Sequence, residues 1–100
     1  MKIGILVNTS ECLEDVIGIT KEALSRGHGV SIFTMDSGTK LLENPEYSGL
    51  CRLEGVNMSF CAHSAEKEGV QTSLAPQRVI RGSQFDNALM CNESDIVIVL

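Results

Sequence analysis

One hundred residues, 43% of them hydrophobic and only 4% aromatic with no Trp, suffice for one core of aliphatic side chains but not for a catalytic domain beside a separate substrate domain. This composition excludes a disordered or collagen-like chain. A formal net charge of −5, with no cluster of Lys or Arg, excludes the electrostatic footprint of a nucleic-acid binder.

The elements alternate along the chain. Lys2 to Asn8 is a near-continuous apolar run, as in a parallel strand buried on both faces, and is expected to be the central strand. It is too short to span a bilayer, and no small-residue cleavage site follows it, so a cytoplasmic location is expected. Thr9-Ser10 reads as an N-cap, with Glu11, Glu14 and Asp15 near the positive end of a helix that closes before Gly27. Leu13, Val16, Ile17, Thr20, Ala23 and Leu24 fall on one face of that helix. A second strand follows at Gly29 to Met35, which makes the first helix a right-handed parallel crossover.

Asp36-Ser37-Gly38 is a turn signal, and Asn44-Pro45-Glu46 reads as N-cap, first helical residue and acidic second residue of a helix running to Gly55. Val56 to Phe60 is a third strand whose Asn57 and Ser59 leave one face polar, suited to a cleft or a subunit contact. Ala62 to Gly69 is helix-like, and Arg78 to Arg81 is a short strand. Ser83 and Asp86 form a capping-box pattern, with Phe85, Ala88 and Leu89 as the buried face of the next helix. Asp95 to Leu100 is a final buried strand. The expected fold is a single α/β domain over residues 1–100, with a mostly parallel sheet of four to five strands.

Four cysteines punctuate these elements: Cys12, Cys51, Cys61 and Cys91. They show no C-x-x-C and no Cys/His pairing at zinc-site spacing, so no metal is expected, and the thiols are expected to be reduced. Cys51 and Cys91 fall in helices beside apolar residues and read as packing. Cys61 is different, because it stands where the third strand passes into a helix. In a parallel sheet that edge is where ligands bind, since loops there are open and helix N-termini carry unpaired N–H groups. Such groups stabilise a thiolate, the form that attacks a sulfur. Free Cys is also among the most buried residue types, so position alone leaves nucleophile and space-filler both open.

Cys12 opens toward the same edge and is a second candidate thiol, able to resolve a persulfide only if it comes within disulfide reach of Cys61. His63 reads as an exposed polar residue rather than a catalytic one. Asn8-Thr9-Ser10-Glu11 occupies the place where flavodoxin-like proteins hold the FMN phosphate. It lacks glycine and is followed by acids that repel phosphate, and only Tyr47 stands out as an aromatic for stacking a flavin, so an ordinary cap is the better reading.

The initial strand and helix, the segment V-N-M-S-F-C-A-H-S-A-E-K-E-G-V and the closing G-S-Q-F-D-N-A-L-M-C-N-E-S-D-I-V-I-V-L together resemble the DsrE/DsrF-like family of small sulfur-relay proteins. The likeness runs over the whole chain. It implies a three-layer α/β/α domain that assembles into trimers or hexamers, or joins related subunits. It also implies a persulfide carried on one cysteine, here Cys61, with sulfane sulfur passed between donor and acceptor proteins and no metal or organic cofactor. The polar third strand departs from what the family implies, and relatives without the cysteine serve as structural partners. A noncatalytic subunit of the same fold is therefore the alternative, with a flavin- or nucleotide-binding module behind it.

Overall fold

The apolar run at the start of the chain becomes β1 (Lys2–Val7) in the computed structural model, which describes residues 1–100. It pairs in parallel with β2 (Gly29–Thr34) on one side and β5 (Ile96–Val99) on the other. Beyond β2 lie β3 (Val56–Cys61) and β4 (Val79–Gly82), giving the order β4-β3-β2-β1-β5 with every pairing parallel. The central strand is thus β2, not β1.

Right-handed crossovers dictate where the helices go. The chain steps from β1 to β4 in one direction, so its first three crossovers share one face of the sheet. These are α1 (Leu13–Ser25), the segment that includes α2 (Pro45–Ser48), and α3 (Ala62–Lys67). The return from β4 to β5 runs the opposite way and places α4 (Gln84–Glu93) on the other face. The result is a three-layer α/β/α domain with unequal outer layers.

Strand register sorts the side chains accordingly. Ile5, Ile32 and Met58 lie side by side on the heavily covered face, as do Val7, Thr34 and Phe60. With Val16, Ala23, Leu42, Tyr47 and Leu50 they form the main core. The buried Tyr47 hydroxyl and Thr34 Oγ1 satisfy each other at 2.6 Å; burial pushes the Tyr47 phenol well up, and the Thr34 contact only partly offsets this. The opposite face carries a smaller cluster of Phe33, Cys61 and Met90. α4 can lie close there because β1 has Gly4, where a Cβ would come within 2.6 Å of Ser94 Oγ and 3.4 Å of Met90 Cγ.

Several local features depart from expectation. α1 begins at Leu13 with Cys12 at the cap position and no side-chain cap, because the first helical bond is from Val16 N–H to Cys12 O at 3.0 Å. Thr9-Ser10-Glu11 instead extends the loop at the end of β1. Asn44-Pro45-Glu46 starts a helix as expected, with Asn44 Oδ1 accepting from Glu46 N–H at 2.9 Å. That helix is one turn, continued by 3₁₀ geometry from Gly49 to Arg52 instead of running to Gly55.

The largest correction concerns α4 and β5. The Ser83–Asp86 capping box is present, but it sets the helix so that Met90 faces the sheet at 7% exposure while Phe85 is 68% exposed. Ala88, Leu89 and Cys91 are also exposed. The inward stripe is Asp86, Asn87, Met90 and Ser94, so the apolar positions expected to be buried look outward. β5 is an edge strand with Ile96 and Val99 exposed rather than buried. One helix cannot cover five strands, so Val99 and Ile80, on the same face as α4, stay exposed, whereas Ile96 lies on the other face at the open edge of the sheet.

Candidate functional site

All five strands run the same way, so their carboxyl ends open onto one edge. The ends of β2, β3 and β4 bring Met35 and Asp36, then Cys61 to Ser64, then Gly82 to Gln84 around a shared depression of about 540 Å³. Cys61 is the last residue of β3 and the cap residue of α3. Register puts its side chain on the thinly covered face, against Phe33 and Met90. Only 5% of the residue is exposed, yet it sits at the floor of the open depression and not in the main core.

The environment of the sulfur is rich in hydrogen-bond donors. Partial burial is the largest single influence and pushes the Cys61 thiol up. The Ser64 hydroxyl, the Ser64 N–H, the Gln84 amide and the His63 N–H act in the other direction and together prevail, so the thiol lies below its ordinary value. Ser64 and His63 are the third and second helical residues, where a capping oxygen would accept backbone N–H bonds. Sulfur makes no closed capping bond there; the donors act on its charge.

Asp36 lines the far side with its backbone in the left-handed region at φ 50, a conformation that Asp tolerates better than most residues. Thr39 Oγ1 donates to Asp36 O at 2.7 Å and Gly38 N–H to Met35 O at 3.0 Å, which pins this rim. Gln84 Nε2 donates to Met35 Sδ at 3.7 Å across the depression, and Asn87 Nδ2 donates to Gln84 Oε1 at 3.1 Å.

The other candidates separate in space. Cys12 stands at the cap position of α1 beyond the end of β1, does not line the depression, and is separated from β3 by β2, while the Cys61 side chain lies on the face of the sheet opposite α1. All four cysteines are free. Cys51 is buried, as expected, whereas Cys91 lies on the exposed side of α4. His63 contributes its N–H while its side chain lies on an exposed residue. Tyr47 is fully buried and cannot stack on a ligand. Sequence reasoning alone misses Ser64 and Gln84. The signal for Ser64 is there, since it stands three residues after Cys61 at the start of a helix; Gln84 becomes a neighbour only once β4 is known to lie beside β3.

No family model matches this chain, and no curated protein matches it in sequence. Solved structures do. The protein of unknown function MTH1491 from Methanobacterium thermoautotrophicum superposes with a TM-score of 0.79 at 14% identity, covering 99% of this chain and 98% of its own. The ychN protein from E. coli superposes at 0.69, also at 14% identity, over 100% of both chains. These likenesses show a shared fold over the whole chain. No helix is long and apolar enough to cross a membrane.

Proposed function

We propose that this protein is a sulfur carrier or sulfurtransferase subunit of the DsrE/DsrF-like kind, holding sulfane sulfur as a persulfide on Cys61 and relaying it between partner proteins in the cytoplasm. The observation that carries the reading is the Cys61 thiol at the floor of an open depression, with hydrogen-bond donors that lower its pKa against the effect of burial. The Cys61 thiolate attacks the outer sulfur of a donor persulfide. A new S–S bond forms on Cys61 as the donor's S–S bond breaks; the outer sulfur keeps its proton, and the donor leaves as a thiolate. An acceptor thiolate removes the sulfur by the same exchange, and no metal or organic cofactor takes part. Intact mass after exposure to a persulfide donor tests this: wild type gains one sulfur atom and Cys61→Ala gains none. Equal gain by the two proteins would overturn it.

The reading includes assembly into a trimer, a hexamer or a hetero-oligomer with related subunits. The exposed Phe85, Leu89 and Ile80 support it, because large apolar side chains rarely cluster on a monomer's surface without a partner. Light scattering on the purified chain is expected to show an oligomer, and Phe85→Asp with Leu89→Asp is expected to reduce its mass. A wild-type monomer at micromolar concentration would contradict this.

The low exposure of Cys61 favours, as a second reading, a noncatalytic subunit of the same fold, for which the thiol is packing. It predicts assembly without sulfur uptake. A flavin- or nucleotide-binding module is the weakest reading, because Tyr47 is buried against Thr34 and Glu14 and Asp15 occupy the first turn of α1.

A further inference from the structure

A carboxamide is ambiguous at an anion, since its NH2 end attracts the charge and its oxygen repels it. Gln84 lines the depression with Cys61, so its orientation decides which end the sulfur meets. Two contacts set that orientation from behind. The Cys91 thiol donates to Asn87 Oδ1 at 3.6 Å, which occupies the oxygen end of Asn87. Asn87 Nδ2 then donates to Gln84 Oε1 at 3.1 Å. With its oxygen engaged, Gln84 turns Nε2 across the depression that Cys61 also lines, where one N–H reaches Met35 Sδ at 3.7 Å.

The spacing that makes this possible belongs to α4. Gln84, Asn87 and Cys91 are separated by three and four residues, so they stack along one side of the helix. The capping box fixes the first turn: Asp86 Oδ2 accepts from Ser83 N–H at 2.8 Å, and Ser83 Oγ accepts from Phe85 N–H at 3.2 Å. Gln84 is therefore held at its backbone by the cap and at its side chain by Asn87.

We propose that Asn87 is a positioning residue that acts through Gln84, holding its amide so that N–H groups and not the carbonyl oxygen face the Cys61 sulfur. Gln84 in turn stabilises negative charge on that sulfur, both as thiolate and as persulfide. This rests on Cys61 being the sulfur-carrying residue for its role in function, though its physical test does not require sulfur transfer.

The test is the rate of Cys61 alkylation by iodoacetamide against pH, followed by peptide mass, in the wild type, Gln84→Leu, Asn87→Ala and the double variant. Gln84→Leu is expected to raise the pH midpoint and to slow alkylation at pH below it by about threefold, as befits one hydrogen bond at a solvent-facing site. At pH well above the midpoint its rate is expected to equal or exceed that of wild type, because a more basic thiolate is the better nucleophile. Loss of structure around the thiol would not give that pairing. Asn87→Ala is expected to shift the midpoint the same way, and the double variant to match Gln84→Leu alone, since Asn87 has nothing left to orient. Thermal melting of each variant establishes that it is folded. An unchanged midpoint in Gln84→Leu or Asn87→Ala, or additive shifts in the double variant, would overturn the proposal. If these shifts appear while Cys61 takes up no sulfur, the carrier reading fails and the positioning role stands.

Discussion

Gly38→Ala is expected to destabilise the protein by about 2–3 kcal/mol, lowering its melting temperature by roughly 10 °C or more. A Cβ at Gly38 would lie 2.7 Å from Val7 O, 3.1 Å from Val7 C and 3.2 Å from Val7 Cγ1. These atoms cannot easily give way. Val7 lies in β1 between two paired strands, and its carbonyl already accepts from Met35 N–H at 2.9 Å. The substitution must therefore push the whole rim from Met35 to Thr39 outward, taking Asp36 away from the depression around Cys61. Gly18 provides the contrast. It lies in α1, where an added Cβ would meet nothing within 4 Å, so Gly18→Ala is expected to stabilise by about 0.5–1 kcal/mol through helix propensity. Melting followed by circular dichroism checks both. A Gly38→Ala protein that melts with the wild type would show that the rim is more pliant than its contacts indicate.

Ser64→Ala is expected to have the largest effect on Cys61 chemistry short of removing the sulfur. The Ser64 hydroxyl is the strongest of the influences that oppose burial at Cys61. Its loss leaves the Ser64 and His63 N–H groups and Gln84 against an unchanged desolvation cost, so the thiol pKa rises. Losing that donor lowers the thiolate fraction, and alkylation at neutral pH is expected to slow severalfold. Stability should respond with a definite sign. A thiol whose folded pKa is lowered adds stability that is fully present above the unfolded thiol's pKa and lost as pH falls through the folded value. The stability advantage of wild type over Ser64→Ala should therefore grow from neutral to alkaline pH. An advantage that shrinks over that range would mean that the hydroxyl does not favour the thiolate.

The strands of this fold are legible in the sequence because buried parallel strands are written as short apolar runs between turn signals. The β1, β2 and β3 runs need no long-range information, and neither do the Asn44-Pro45-Glu46 helix start or the Ser83–Asp86 cap. α4 departs from its pattern for a physical reason. Phe85, Ala88 and Leu89 recur at helical spacing, and periodicity reports that a face is apolar without reporting what covers it. Here the sheet takes Met90, between Gly4 and the small cluster of Phe33 and Cys61, and leaves the larger stripe outside.

The same limit governs the site. Cys61 is visible as a thiol at a strand-to-helix junction, and Ser64 follows from local spacing. Gln84 and Met35 depend on strand order, because they come from junctions that are remote in sequence and meet only when β2, β3 and β4 are neighbours. Cys12 illustrates the converse. It shares the edge with Cys61 but not the depression, since β2 stands between their strands.

The central claim is that sulfur is carried on Cys61, and locating the added atom tests it most directly. After exposure to a persulfide donor, the free thiols and persulfides are alkylated and the protein is cleaved and mapped by mass. The added sulfur is expected on the peptide containing Cys61, with Cys12, Cys51 and Cys91 unmodified by it. Sulfur found on one of those three instead, or on none of the four under conditions that load a known carrier, would contradict the account.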